Sequence, residues 1–179
     1  MEIVNGLLSS ALQVNSPNCD DRPDSDDIQL VVIHGISLPP GEFGGGYIEQ
    51  LFTNCLNPDE HPYFKEIKGL KVSTHLLVNR DGIITQFVPF QKRAWHAGES
   101  CYKDRQCCND FSIGIELEGT DDEPYTDRQY ESLNNIIKVL QDTYPALTRD
   151  NIVGHCDIAP QRKTDPGLAF DWSRIEKTA

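Results

Sequence analysis

Apolar runs along the chain predict strands, and one of these runs alternates between two faces. Residues 28–33 form a nearly continuous apolar run, which is typical of a strand covered on both sides. Residues 72–78 and 83–88 flank the pair Asp81-Gly82, which favours a β-hairpin. Residues 111–118 alternate, with Phe111, Ile113, Ile115 and Leu117 on one face and Ser112, Gly114, Glu116 and Glu118 on the other. This alternation predicts a strand with one apolar and one polar face, and we expect Glu118 to face solvent.

Helical spacing is found between the strands. Residues 47–56 and 62–67 predict short helices, and a longer helix begins at Thr126, which forms a capping box with Gln129. The apolar positions of the longer helix are Tyr130, Leu133, Ile136, Ile137 and Leu140, and Pro145 ends it. A short strand at 151–153 and a final helical piece at 172–177 follow. Strands that alternate with helices, together with one hairpin, predict an α/β fold with helices flanking a central mixed β-sheet.

Composition and charge narrow the class of function. The 179 residues fit about one domain, and no apolar run approaches the ~18 residues of a membrane span. With 16 basic and 28 acidic residues the net charge is −12, which excludes a general attraction for nucleic acid or an anionic membrane. A small diffusible substrate suits such a chain. The N-terminal segment lacks the basic region of a signal peptide, so we expect a cytoplasmic protein whose six cysteines are free thiols.

Histidines and carboxylates near predicted strand ends are the candidate metal ligands. His34 and His155 each follow a predicted strand, where functional side chains tend to collect. Asp165 precedes Pro166, which favours an extended backbone, and in an extended segment Lys163 and Asp165 face the same way. Two imidazoles and one carboxylate match a catalytic zinc set. The alternative is that the histidines are hydrogen-bonded structural residues and the loop is solvated surface.

Glu116 is the candidate proton-handling group. It shares a strand face with Gly114, whose missing side chain leaves open space beside the carboxylate. The alternative is a strand carboxylate that faces solvent. Of the remaining histidines, we expect His61 to be inert, His75 to pack against the sheet and His96 to line a pocket wall.

Five segments together carry a family resemblance. They are residues 32–45 (VIHGISLPPGEFGG), 93–98 (RAWHAG), 109–119 (NDFSIGIELEG), 154–160 (GHCDIAP) and 162–167 (RKTDPG). In these segments the chain resembles the N-acetylmuramoyl-L-alanine amidases of family 2, and within them the bacterial cytosolic enzymes that act on 1,6-anhydro-muropeptides. The similarity extends over residues 15–172. It implies the fold of peptidoglycan recognition proteins and T7-type lysozyme, in a single zinc amidase domain over residues 1–179.

The resemblance also implies a site and a reaction. One zinc ion per chain is held by His34, His155 and Asp165, Glu116 handles protons, and Lys163 stabilises developing negative charge. The implied reaction hydrolyses the amide between the lactyl group of 1,6-anhydro-N-acetylmuramic acid and the L-Ala of its stem peptide, in peptidoglycan recycling. The partner is thus a small anhydro-muropeptide, and we expect a monomeric enzyme.

Three further residues are candidates for contacts with the substrate. Trp95 offers a rigid apolar wall for the sugar or the peptide, and Lys71 and Arg105 supply positive charge that could meet an acidic stem peptide.

Two other functions remain open at the level of sequence. The first is a non-catalytic muropeptide-binding module of the same fold, which would be expected to lack part of the zinc set. The second is a thiol-based protein that uses the Cys107-Cys108 pair or Cys156, although no base is paired with these thiols in the sequence.

Overall fold

A six-stranded sheet forms the centre of the molecule, whose computed structural model describes residues 1–175. The strands are β1 (Ile3–Val4), β2 (Leu7–Leu8), β3 (Leu12–Gln13), β4 (Cys19–Asp21), β5 (Leu30–Ile36), β6 (Leu76–Val78), β7 (Ile84–Gln86), β8 (Lys92–Ala94), β9 (Cys101–Tyr102), β10 (Arg105–Gln106), β11 (Ser112–Glu118) and β12 (Ile152–Gly154). The helices are α1 (Tyr47–Phe52), α2 (Pro62–Glu66), α3 (Asp127–Thr143) and α4 (His155–Ile158), with 3-10 turns at Cys108–Asp110, Arg149–Asn151 and Trp172–Arg174. Of the helical piece predicted at 172–177, residues 176 and 177 lie outside the described residues.

The sheet is mixed, as the sequence predicts. Its strand order is β12-β5-β11-β6-β7-β3, and the pairs β12–β5, β5–β11, β11–β6 and β3–β7 are parallel. The predicted hairpin is confirmed, because β6 and β7 pair in antiparallel fashion. Parallel strands buried on both faces need apolar residues throughout, and the burial of Leu30, Val31, Val32 and Ile33 in β5 explains its unbroken apolar run.

Helices cover both faces of the sheet. The predicted capping box of α3 is present, with Thr126 and Gln129 satisfying each other's backbone N–H groups. The apolar stripe of α3 packs against one face of β5 and β11, in a cluster that includes Ile33 and Ile115. Residues of α1 and α2 pack with the side chain of Leu77 in a second cluster. The α/β architecture is therefore the one that the pattern of strands and helices predicts.

Two expectations for the strand at 111–118 are wrong. Phe111 precedes β11 and packs with Leu30 and Val32 rather than with Ile113, because the extended alternation begins only at Ser112. Glu118 does not face solvent: its side chain is buried and accepts hydrogen bonds from the N–H groups of Gly44 (2.6 Å) and Arg80 (3.2 Å). The second face of β11 is polar because it lines buried interactions, not because it is solvated.

None of the helices found between residues 1 and 175 is long and apolar enough to cross a membrane.

A buried arginine ties the N-terminal segment to the sheet. The Arg22 guanidinium donates hydrogen bonds to four backbone carbonyls, those of Phe90, Asn109, Asp110 and Ser112, at 2.7–3.1 Å. Burial lowers the pKa of Arg22 to about 10, so the group remains charged near neutral pH. The bonds to Phe90 and Ser112 are buried and those to Asn109 and Asp110 are partly buried, so removal of the guanidinium would leave buried acceptors without this partner.

Arg22→Met is expected to lower the free energy of unfolding by about 3 kcal/mol, since each buried acceptor left unpaired costs about 1–3 kcal/mol and the terms do not add fully. Urea denaturation measures the loss. The control is Arg128→Met, which removes an exposed ion pair with Asp81 and should change stability by less than about 1 kcal/mol. Equal effects of the two substitutions would contradict the role given to Arg22.

Candidate metal centre and active site

Parallel strands bring three of the predicted site residues to one edge of the sheet. In the register of β5 and β11, His34 lies directly beside Glu116. On the other side of β5, Gly154 of β12 pairs with Ile33, and His155 follows at once as the first residue of α4. Side chains at the carboxyl ends of adjacent parallel strands share one crevice, which is where sites form in open sheets of this kind.

Three ligand atoms converge at this edge. His34 Nδ1 lies 2.9 Å from His155 Nδ1, and Asp165 Oδ2 lies 3.2 Å from the first and 3.1 Å from the second. Within residues 1–175, these residues form the one group of three or more side chains with the spacing of a metal site. Ligand atoms around a tetrahedral zinc ion are separated by about 3.3 Å, so this cluster has a suitable size.

The hydrogen bond of His155 fixes which of its nitrogens can bind a metal. His155 Nε2 lies 3.2 Å from the carbonyl oxygen of Ala97, which can only accept, so Nε2 carries the proton. Nδ1 is then the nitrogen left for a metal ion, and it faces the Asp165 carboxylate at 3.1 Å. A cation between the two atoms would bind both of them. The donor set therefore fits a metal ion.

Burial gives Glu116 unusual proton affinity. The residue is only 9% exposed, its Oε1 lies 4.0 Å from His34 Nδ1, and its Oε2 has no hydrogen-bond partner in the described structure. Burial raises the pKa of Glu116 well above its usual range, the charge of Asp165 raises it further, and the charge of Lys163 opposes both. A raised pKa makes the carboxylate a stronger base, which suits a group that takes up a proton during a reaction.

A cavity of about 230 Å³ opens over these groups. Its polar lining includes His34, His96, Glu116, His155, Lys163 and Asp165, and its apolar lining includes Leu51, Tyr63, Ile67, Leu70 and Trp95. Lys163 and Asp165 thus reach the same space, although the structure assigns no strand to this segment. The two walls differ in chemistry: one carries the ionisable cluster, and the other can pack against a sugar or a peptide.

The three predicted substrate contacts fall in different places. Trp95 lines the cavity, and its indole N–H donates to Asp20 at 3.2 Å. Lys71 lines a neighbouring cavity of about 150 Å³, which shares apolar wall residues such as Leu70 with the first. The structure does not bring Arg105 to either cavity: it lies on β10 and pairs with Asp27.

The remaining histidines have distinct surroundings. His61 caps α2 by accepting the Tyr63 N–H at 3.2 Å, and His75 is buried against the sheet, where it accepts the Gly114 N–H at 3.0 Å. His96 lines the cavity wall as predicted, and its Nδ1 also lies 2.9 Å from His34 Nε2. The spacing of the two residues in the sequence gives no signal for this contact.

The space beside Gly114 is not open, contrary to the expectation from its missing side chain. A Cβ atom at Gly114 would lie 2.5 Å from Cγ of His96, so the imidazole ring occupies that space. Gly114 therefore accommodates His96 rather than substrate or solvent. Periodicity shows which side of a strand a residue faces, but not which side chain lies over it.

Comparison with known proteins gives the family. A family model described as N-acetylmuramoyl-L-alanine amidase matches residues 24–168. The chain belongs to the N-acetylmuramoyl-L-alanine amidase family. It is 59% identical over 175 residues to the 1,6-anhydro-N-acetylmuramyl-L-alanine amidase AmpD of Enterobacter cloacae. The aligned region covers 98% of this chain and 93% of that protein. The amidase is therefore a hydrolase, as the resemblance in its motifs implies.

Solved structures agree with this placement. A crystal structure of a selenomethionine derivative of AmpD superposes on the amidase with a TM-score of 0.95, at 56% identity and with 98% of this chain and 97% of that chain covered. The amidase AmiD from E. coli, in complex with anhydro-N-acetylmuramic acid-L-Ala-D-gamma-Glu-L-Lys, superposes with a TM-score of 0.62 at 30% identity, covering 83% of this chain and 56% of that chain. The predicted fold class is thus confirmed.

Proposed function

We propose that this amidase is a zinc enzyme that hydrolyses the amide between the lactyl group of 1,6-anhydro-N-acetylmuramic acid and the L-Ala of the stem peptide, in peptidoglycan recycling. The observation that carries the proposal is the convergence of three ligand atoms, at 2.9–3.2 Å, beside the buried carboxylate of Glu116. The names of its AmpD relatives support the anhydro sugar, and the substrate bound to AmiD supports a muropeptide.

The residues divide the chemistry between them. His34 Nδ1, His155 Nδ1 and Asp165 Oδ2 would hold the zinc ion. When bound, zinc supplies Lewis acidity, which polarises a carbonyl group and makes water a better nucleophile near neutral pH. Burial lowers the pKa of His34 to about 4, so this ring is uncharged at neutral pH, as a metal ligand must be.

Glu116 moves the proton of the reaction. Its carboxylate takes a proton from the attacking water as the new C–O bond forms on the lactyl carbonyl carbon. It then gives that proton to the nitrogen of L-Ala as the C–N bond breaks, so that a carboxylic acid and a free amine result. A raised pKa favours the first step, because it makes the carboxylate a stronger base, and the unpartnered Oε2 leaves an oxygen free to accept the proton.

Lys163 is placed to stabilise negative charge on the carbonyl oxygen. Lys163→Met is expected to keep zinc and to lower kcat by about 10²-fold, with a smaller rise in KM, because the charge acts mainly on the oxyanion of the transition state. Steady-state kinetics and zinc analysis on the same sample measure both. The control is Lys138→Met on the exposed side of α3, where Lys138 pairs with Asp142. A change in KM alone would contradict the role.

The walls of the cavity provide contacts for the substrate. Trp95 offers a flat apolar surface, and its bond to Asp20 orients the indole ring. Lys71 lies far enough along the apolar wall to meet a carboxylate of the stem peptide, in the neighbouring cavity. We propose these two residues as substrate contacts and leave Arg105 out, since it is paired elsewhere.

The two alternatives are less well supported. A non-catalytic binding module has no need for three converging ligand atoms or a buried carboxylate beside them. A thiol mechanism needs thiolates, yet burial raises the pKa of Cys108 and Cys156 above the ordinary value. Alkylation with iodoacetamide should therefore leave activity largely intact.

The direct test is incubation of the zinc-loaded protein with an anhydro-N-acetylmuramyl tripeptide, followed by mass spectrometry. We expect two products, the free anhydro sugar acid and the intact tripeptide. A chelator should stop the reaction, and added zinc should restore it. Elemental analysis should find one zinc per chain. Intact substrate after incubation with loaded protein, or activity that survives removal of zinc, would overturn the proposal.

Three further properties complete the proposal: a single domain over residues 1–179, a monomer and a cytoplasmic location. The last is supported by the six cysteines, all of which are free thiols in the structure, because such thiols persist in reducing compartments. Cell fractionation and sedimentation of the purified protein test the location and the monomer. Activity in an exported fraction would contradict the location.

A further inference from the structure

A chain of hydrogen bonds extends from the candidate metal centre into the core. His34 Nε2 lies 2.9 Å from His96 Nδ1, His96 Nε2 lies 3.1 Å from Ser112 Oγ, and Ser112 Oγ donates to the carbonyl oxygen of Cys108 at 2.5 Å. The three side chains that these hydrogen bonds connect are buried, with 1% exposure at His34, 9% at His96 and none at Ser112. These contacts are therefore shielded from bulk solvent.

The direction of each bond follows from the last one. A serine hydroxyl has one proton, and that of Ser112 is used on the Cys108 carbonyl. Ser112 Oγ must then accept from His96, which places the His96 proton on Nε2 and leaves a lone pair at Nδ1. That lone pair accepts from His34 Nε2–H. His34 is left with a bare Nδ1, the atom that faces His155 and Asp165.

We propose that His96, held by Ser112 over Gly114, is a positioning residue that fixes His34 in the tautomer whose Nδ1 can bind a metal ion. The inference rests on the proposed zinc site for its consequence, but the tautomer itself is a property of the protein chain. Rings that bind metals commonly donate their other N–H to a nearby acceptor, which sets both tautomer and orientation. Here the acceptor is a second histidine, whose own tautomer is set by a hydroxyl.

The other tautomer of His34 shows why the hydrogen bond to His96 matters for metal binding. With a proton on Nδ1, His34 could donate to Asp165 Oδ2 at 3.2 Å, which is a favourable bond to a carboxylate. That proton would occupy the position that the metal needs. By offering a buried acceptor to Nε2–H, His96 shifts the balance toward the metal-binding form, because a buried N–H without a partner is unfavourable.

Gly114 of β11 provides the space that the His96 ring occupies. Its missing Cβ lets the His96 ring lie against the strand, at a point where any side chain would come within 2.5 Å of the ring. Two residues further along the same face is Glu116. One strand therefore supplies the hydroxyl that orients His96, the gap that admits the ring and the candidate catalytic carboxylate.

The test compares His96→Asn with His96→Leu, two side chains of nearly equal size. The oxygen of Asn can take the place of His96 Nδ1 and accept from His34 Nε2–H, whereas Leu offers no acceptor. Zinc affinity is measured by competition with a chromophoric chelator. We expect His96→Asn to bind zinc within about threefold of the original protein, and His96→Leu to bind about 10–100-fold more weakly. Equal affinities in the two variants would overturn the proposal.

A second measurement makes the result independent of zinc binding and of activity. In zinc-free protein labelled with ¹⁵N-histidine, long-range ¹H–¹⁵N spectra report which nitrogen of His34 is protonated. We expect Nε2–H in the original protein and in His96→Asn, and a shift toward Nδ1–H in His96→Leu. An unchanged His34 tautomer in folded His96→Leu would overturn the proposal, even if zinc affinity fell.

Ser112→Ala serves if the substitutions at His96 fail to fold. It removes the acceptor that holds His96 Nε2–H, and we expect both tautomers of His96 in the same spectra. A single unchanged His96 tautomer would contradict the direction of the chain of bonds. If the original protein shows the expected tautomer but binds no zinc, the proposed function fails while the positioning of His34 stands.

Discussion

Glu116→Gln is expected to lower kcat by about 10²–10⁴-fold while zinc content stays at one per chain. Glutamine keeps the size and shape of the side chain, but it cannot take a proton from water at neutral pH. Glu116 is outside the group of three ligand residues, and its Oε1 lies 4.0 Å from His34 Nδ1. We therefore expect the three ligands to hold the metal ion without its charge. Zinc analysis and turnover of the anhydro-muropeptide are measured on the same preparation.

The matched control lies two residues further along the same strand face. Glu118 is also a buried carboxylate of β11, but it accepts the backbone N–H groups of Gly44 and Arg80 and does not line the cavity. A glutamine oxygen can accept from only one of these groups, so Glu118→Gln should lower stability by about 1–3 kcal/mol but change kcat by less than about twofold. Near-normal turnover in Glu116→Gln would defeat the proposed proton transfer.

The strand that carries Glu116 shows how far sequence patterns lead. Its alternation predicts that Ile113, Ile115 and Leu117 share one face, and the structure packs these three residues together in one cluster. The same alternation places Glu116 on the opposite face. It does not show what covers that face, because periodicity describes one strand at a time. Burial of Glu118 and the seating of His96 over Gly114 depend on distant segments.

Long-range pairing also decides which candidate residues meet. His34 and Glu116 become neighbours through the parallel register of β5 and β11, which strand composition does not specify. The proximity of His34 and Glu116 could be predicted from the family motifs, which occur together in related proteins. It could not be predicted from the sequence of either strand alone. Arg105 shows the limit of an argument from charge alone. Its guanidinium forms an ion pair with Asp27 within the protein, and the sequence does not indicate that pairing.

Asp165→Ala is expected to weaken zinc binding by more than about 100-fold. The carboxylate contributes one of three ligand atoms and the only negative charge among them, and outer-shell changes alone commonly cost 10–100-fold. Activity should fall at low zinc concentration and recover only in part when zinc is added. A chelator competition assay and kinetics over a range of zinc concentrations measure both.

Asp171→Ala is the control for Asp165, because it lies in the same C-terminal segment and its side chain caps the turn that begins at Trp172. It should bind zinc as the original protein does.

The comparison of Asp165→Ala with Glu116→Gln separates two roles for carboxylates in one crevice. If Asp165→Ala loses the metal ion, Asp165 is assigned to metal binding. If Glu116→Gln loses turnover but keeps the metal ion, Glu116 is assigned to proton transfer. If Asp165→Ala retained zinc with unchanged affinity, the metal would have to sit elsewhere, and the short distances among His34, His155 and Asp165 would need another cation to explain them.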